Sequence, residues 1–276
     1  MHSTLTQAIR IHHFGGPEVL QWEEIPLPPP APGEVTIRQT AVGLNFIDTY
    51  HRSGLYPLTL PAVIGTEAAG VIEALGPGTT GFAIGDRVAY TGLPPGAYAA
   101  HRNWPADRLV KLPPGINAEV AASAMLKGLT AWYLLRRSYR VQPGDTLLLY
   151  AAAGGTGTLL SQWASALGAR VIGVVGSPAK AALAREHGCA DTVLSADPDF
   201  VKKVRELSGG GVAAVYDSVG RDTFFQSLDC LRRHGTMVSF GNASGPVEPF
   251  SPMELAKRGS LHLTRPLLFD FIATRA

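Results

Sequence analysis

The run Leu147–Ala164, LLLYAAAGGTGTLLSQWA, sets Gly154, Gly155, Thr156 and Gly157 between an apolar stretch and a pattern of helical spacing. Residues without side chains let the backbone approach a bulky anion, and the first turn of a following helix offers N–H groups and a positive dipole end. The chemistry suited to such a bend is grip on a diphosphate. A bend needed only for tight packing would use the same residues, and Ala152 stands where a full G-x-G-x-x-G would begin. The context decides. The runs DTLLLY, RVIGVV, DTVL, VAAVYD, GTMVSF and SLHLT are strand candidates with helical stretches between most of them. Strands alternating with helices make a doubly wound parallel sheet, and a glycine bend after its first strand predicts a dinucleotide site.

The end of the second strand, in RVIGVVGSPAK, distinguishes the dinucleotides. NAD sites place a carboxylate there to accept from the ribose 2′-hydroxyl. Here stand Gly176 and Ser177, with Lys180 one turn on. A carboxylate would repel a 2′-phosphate, whereas a hydroxyl and an ammonium attract it, so the expected cofactor is NADPH. The alternative is that Ser177 caps the helix and Lys180 is a solvated charge.

The elements that must position these residues fall into two textures. Residues 1–122 are rich in proline and glycine, with alternating runs such as EVTIRQTAVG and GVIEALG that read as a β-rich domain. Residues 123–264 carry the strand–helix alternation, introduced by a helix in NAEVAASAMLKGLTAWYLL with Asn117 as its cap. Residues 265–276 begin an apolar-faced helix. The chain has 276 residues, is 46% apolar and 17% charged, and has a net charge of +2, which favours an ordinary globular protein and gives little reason for nucleic-acid or anionic-membrane binding. Cys189 and Cys230 are too few for a disulfide framework or a four-thiolate metal site and fit a reducing cytoplasm. Lys127 interrupts the longest apolar stretch, so a membrane-spanning helix is not expected, nor is a signal peptide.

The strings VGLNFIDTYHRSGLYP, GTEAAGVIEALG, GDRVAY, LKGLTAWYLL, AAAGGTG, VYDSVGRDTF and MVSFGNASG together resemble a zinc-free NADPH:quinone oxidoreductase, of the zeta-crystallin-like group in the medium-chain dehydrogenase/reductase superfamily. The resemblance implies an α/β protein with a GroES-like β-rich catalytic domain, a Rossmann domain and a homodimer. It implies about 50 further residues completing the catalytic domain, so the C-terminal part of that domain is expected to be missing. Zinc-containing members carry cysteine and histidine ligands where this chain has Asn45 and Thr66, and no metal is expected.

Within that likeness, Asn45, Ile47 and Tyr56 are implied active-site residues, Asn45 and Tyr56 as hydrogen-bond donors and Ile47 as an apolar wall. A turn role for Asn45 and a packing role for Tyr56 remain open, and Asp48 reads as an internal anchor rather than a base. Lys127 and Thr130, one helical turn apart, are implied to meet the phosphates and nicotinamide ribose, unless Lys127 reaches solvent. Gly241 and Asn242 follow the fifth strand at the nicotinamide end of the sheet. Arg265 resembles an arginine at the family's active-site mouth, although a surface arginine is the alternative. Ser195 stands where relatives have a tyrosine near the adenosine phosphate, which weakens the expected grip on NADPH.

Without a Lewis acid, charge building on one oxygen is poorly stabilised, whereas a quinone or conjugated enone delocalises it. NADPH-dependent quinone reduction is therefore the leading expectation, alkenal or enone reduction the second. Non-catalytic NADPH binding, crystallin-type or RNA-binding, is the third.

Overall fold

The computed structural model describes residues 4–274. The described residues divide into two compact units, one made of residues 4–126 with 273–274, the other Lys127–Ile272.

The first unit is antiparallel throughout. It contains β1 (Thr4–Ile11), β2 (Gln21–Leu27), β3 (Glu34–Val42), α1 (Phe46–Ser53), β4 (Ala62–Val63), β5 (Glu67–Leu75), β6 (Arg87–Thr91), β7 (His101–Pro105) and β8 (Val110–Lys111). These form one sheet ordered β2-β1-β4 and another ordered β7-β3-β5-β6-β8. Val35, Ile37, Ile72, Val88 and Trp104 fill the core of the larger sheet. Thr36 is buried with them, and its hydroxyl donates to Asn103 Oδ1 at 2.7 Å, which removes the cost of burying it. β3 ends at Val42 and turns through Gly43 into α1. A Cβ at Gly43 would lie 2.1 Å from Ala122 O and 2.3 Å from Glu67 Oε2, so only glycine lets the chain pass there.

Next in the chain is α2 (Ala118–Tyr133), within which the division between the units falls, then β9 (Thr146–Leu149), α3 (Gly155–Ala166), β10 (Arg170–Val175), α4 (Pro178–Glu186), β11 (Asp191–Leu194), α5 (Phe200–Leu207), β12 (Val212–Asp217), α6 (Phe224–Asp229), β13 (Leu231–Ser239), α7 (Met253–Lys257), β14 (His262–Thr264) and α8 (Leu268–Phe271). Asn117 caps α2 as its sequence suggests, accepting the Val120 N–H at 2.8 Å. The sheet of the second unit is parallel throughout, in the order β11-β10-β9-β12-β13-β14. Leu147, Leu148 and Leu149 are fully buried, as are Val212 and Val215, because helices cover both faces of the central strands. Each such side chain contributes roughly 1.5–3 kcal/mol over an exposed one. The strand order reverses between β10-β9 and β12-β13, the position where open α/β sheets bind ligands at their carboxyl edge. The helix expected in TRPLLFDFIATRA is the single turn α8, whose Phe271 ring stacks on Tyr133 at 4.6 Å and 9°; Arg275 and Ala276 lie outside the described residues.

Candidate functional site

In the second unit the bend follows β9 directly. Gly154 N–H donates to Ala151 O at 2.8 Å, and α3 starts at Gly155. A Cβ on Gly157 would lie 2.2 Å from Ala151 O, so the helix packs onto the bend with no room for a methyl. Gly155 is bare for another reason: Lys127 crosses it, with Cε 2.8 Å from where a Cβ would stand. Ala152, the departure from a full glycine motif, is buried, and its methyl occupies the space above Gly173. The first turn of α3 leaves the N–H groups of Gly155, Thr156 and Gly157 without intrahelical acceptors, a cradle that fits a diphosphate.

At the carboxyl ends of β10 and β11 stand Gly176, Ser177, Lys180 and Ser195. Ser177 is the N-cap of α4 and its Oγ accepts the Lys180 N–H at 3.3 Å, so the capping alternative describes its geometry. A capping hydroxyl can still donate its proton, and the Lys180 side chain is exposed. Ser195 N–H donates to Val175 O at 2.9 Å, holding the exposed Ser195 beside the end of β10. The position after β10 is glycine, open on all sides, with no carboxylate to oppose a 2′-phosphate.

Thr130 is buried and Lys127 half-buried on α2. Gly241 follows β13, and a Cβ there would lie 2.4 Å from Ser218 O. With the Asn242 amide oriented so that Nδ2 faces Gly241 O, its oxygen accepts from Arg265 Nη2 at 3.2 Å, which joins two predicted site residues. Asp217, not singled out in the sequence, ends β12 and organises this edge. Its Oδ1 accepts the Val219 and Gly220 N–H groups at 2.7 and 3.1 Å, and its Oδ2 accepts the Thr223 and Ser227 hydroxyls at 2.7 and 2.9 Å. Burial pushes its carboxyl above the ordinary aspartate range, and these four hydrogen bonds pull it back.

The first unit contributes a buried polar network. Asn45 caps α1, and its N–H donates to Asp48 Oδ2 at 2.9 Å. Asp48 also accepts from Tyr98 OH at 2.8 Å and Thr66 Oγ1 at 3.3 Å, the anchoring role its sequence position suggests. Burial and the neighbouring Asp48 both push the Tyr98 phenol up, which keeps it a donor. Glu67, fully buried and also not singled out in the sequence, accepts from Asn45 Nδ2 at 2.8 Å and from the Leu126 N–H at 2.6 Å. Ile47 is half-buried on α1, and the half-buried Tyr56 ring meets Tyr50 edge-on at 5.1 Å.

Asn45 and Thr66 do not fit a catalytic zinc. Asn45 Nδ2 and the Thr66 hydroxyl donate to carboxylates, and neither side chain is among the thiolate, imidazole and carboxylate ligands that zinc takes. Among the described residues, no group of three or more His, Cys, Asp or Glu side chains is arranged to hold a metal ion. Among the same residues no helix is long and apolar enough to cross a membrane.

The chain thus combines an antiparallel β unit with a six-stranded parallel sheet that carries a glycine bend after β9. Residues 31–114 match the alcohol dehydrogenase GroES-like domain family, and residues 155–269 match the family described as zinc-binding dehydrogenase. The chain is 50% identical to a quinone oxidoreductase of Salmonella typhimurium, over 97% of this chain and 82% of the relative. It is 47% identical to a 2-haloacrylate reductase of a Burkholderia species, over 99% of this chain and 84% of the relative. The crystal structure of Escherichia coli quinone oxidoreductase complexed with NADPH superposes with a TM-score of 0.95 at 48% identity, covering 98% of this chain and 83% of that one. The chain therefore belongs to the quinone oxidoreductase family of the superfamily, and it is an oxidoreductase.

Proposed function

We propose that this protein reduces quinones with NADPH and without a metal. The observation that carries the reading is the pairing of Asn45 and Thr66 with buried carboxylates, which leaves hydrogen bonding rather than a Lewis acid to stabilise the acceptor. When bound, NADPH supplies the hydride; with one proton from solvent, quinone becomes hydroquinone and the cofactor NADP⁺. The bend from Gly154 to Gly157 takes the diphosphate. Lys127 and Thr130 hold the inner phosphate and ribose, while Ser177, Lys180 and Ser195 attract the 2′-phosphate. Gly241, Asn242 and Arg265 shape the nicotinamide end. Asn45 donates to an acceptor oxygen, Tyr56 adds a second donor, and Ile47 provides an apolar wall. Two buried thiols suit a reducing cytosol, and a homodimer is the assembly to test by light scattering.

A second reading is reduction of a carbon–carbon double bond conjugated to a carbonyl or carboxylate, supported by the likeness to the 2-haloacrylate reductase. The test is NADPH consumption with 1,4-benzoquinone, 2-hexenal and 2-chloroacrylate. Higher kcat/KM on the quinone is expected; faster turnover of chloroacrylate would give the assignment to the second reading.

A further inference from the structure

We propose that Ala151 is a positioning residue for the cofactor, its left-handed backbone presetting the glycine bend for the diphosphate. The inference rests on the reading that this bend takes the diphosphate of NADPH, and adds a residue to it. Ala151 has a φ of 51°, a region that residues with a Cβ enter at a cost and that clusters at functional sites. Its effect shows in the hydrogen bonds on either side. N–H groups alternate between the two neighbours of a strand, so in an unbroken β9 residues 150 and 152 would face the same one. Here the Tyr150 N–H donates to Tyr216 O of β12 at 3.0 Å, and the Ala152 N–H donates to Val174 O of β10 at 3.2 Å. The one left-handed residue between them turns the chain from the β12 side to the β10 side, where the strand order reverses. It also aims its own carbonyl into the bend. That oxygen accepts the Gly154 N–H at 2.8 Å and lies 2.2 Å from where a Cβ on Gly157 would stand, so both glycines are set against one atom of Ala151. A bend fixed before the ligand arrives need not be ordered by it. Residue 151 is itself exposed, so a replacement there changes backbone preference without disturbing the core.

Asparagine and threonine at residue 151 test this. They are close in size and both polar, but asparagine tolerates the left-handed region and the β-branched threonine does not. The parent is first titrated with NADPH by fluorescence. A parent with no affinity for NADPH removes the cofactor reading together with the proposal; every later outcome bears on Ala151 alone. With a binding parent, A151T is expected to show a Kd about 10-fold above that of A151N at the same number of sites per chain, because its bend holds the binding geometry in a smaller fraction of molecules. Equal Kd values would overturn the proposal even if A151T melts lower or binds at fewer sites, since a residue that only supports the fold removes competent chains without weakening the rest. Should A151T fail to fold, NMR of the parent decides. A left-handed residue brings its own amide and Hα protons closer together than an extended or right-handed one does, which gives a strong intraresidue nuclear Overhauser effect. That signal at Ala151, strong in the free protein and unchanged when NADPH saturates it, supports a preset bend; a signal that is weak, or that changes on saturation, rejects it.

Discussion

The Lys127 side chain lies across Gly155, with its Cε 2.8 Å from the position a Cβ would take at the start of α3. The Lys127 stem thus packs on the first turn of α3, the helix end whose N–H groups and dipole attract phosphate. A methyl at residue 155 must displace it. G155A is expected to raise the Kd for NADPH about 10-fold, and K127M by 10- to 100-fold, the usual range for losing a charge-assisted hydrogen bond. Fluorescence titration of NADPH checks both. The two losses should not multiply in the double variant, because the glycine acts through the lysine; multiplicative losses would show that they act separately.

Ser177 caps α4 while standing where a dinucleotide's ribose is expected, so cofactor choice and helix capping can be separated there. Aspartate caps a helix as well as serine does but repels a 2′-phosphate. S177D should therefore keep its melting temperature and lose at least about 10-fold in affinity for NADPH, with NADH affinity unchanged or improved. Titration with both nucleotides reads the ratio; an unchanged ratio would place the 2′-phosphate elsewhere.

Asp217 holds two backbone N–H groups on one oxygen and two hydroxyls on the other, and these partners differ in what they can tolerate. Hydroxyls rotate to accept, whereas N–H groups cannot. In D217N the amide oxygen keeps Val219 and Gly220, and the NH₂ donates to Thr223 and Ser227, so the cost should stay within about 1 kcal/mol. In D217A the buried N–H groups lose their acceptor, at roughly 1–3 kcal/mol each. Denaturant melts of the two variants distinguish a hydrogen-bonding role from one that needs the charge.

These partners explain what was legible in the sequence. The parallel sheet and its bend were readable because each strand there is a short apolar run and the glycine bend is local, made within residues 151–157. The register of the first unit was not: β4 and β8 are two residues long, and the β-bulges in the β3–β5 pairing leave no regular alternation to count. Glu67 stands in the quoted GTE string, beside Thr66, yet its role depends on the Leu126 N–H, 59 residues away. Asp217 likewise gains meaning from a loop that folds back onto it. Asn45 and Asp48, three residues apart, were readable as an anchored turn because a helix cap is a local interaction.

His51 makes the last prediction, one of stability against pH. The residue is 3% exposed, its Nδ1 has no hydrogen-bond partner, and its ring meets Tyr56 edge-on at 6.2 Å. Burial disfavours the imidazolium and lowers the pKa below the ordinary histidine value of about 6.5. The unfolded chain therefore takes up a proton near pH 6.5, before the native protein does. Stability from this site is fully present above that pH and is lost as pH falls towards the native-state value. Thermal melts of the parent at pH 7.5 and 5.5 should show a larger drop than those of H51L, whose side chain cannot titrate and nearly matches the ring in volume. Equal drops in the two proteins would mean that the imidazole takes up its proton as readily in the native state as in the unfolded chain.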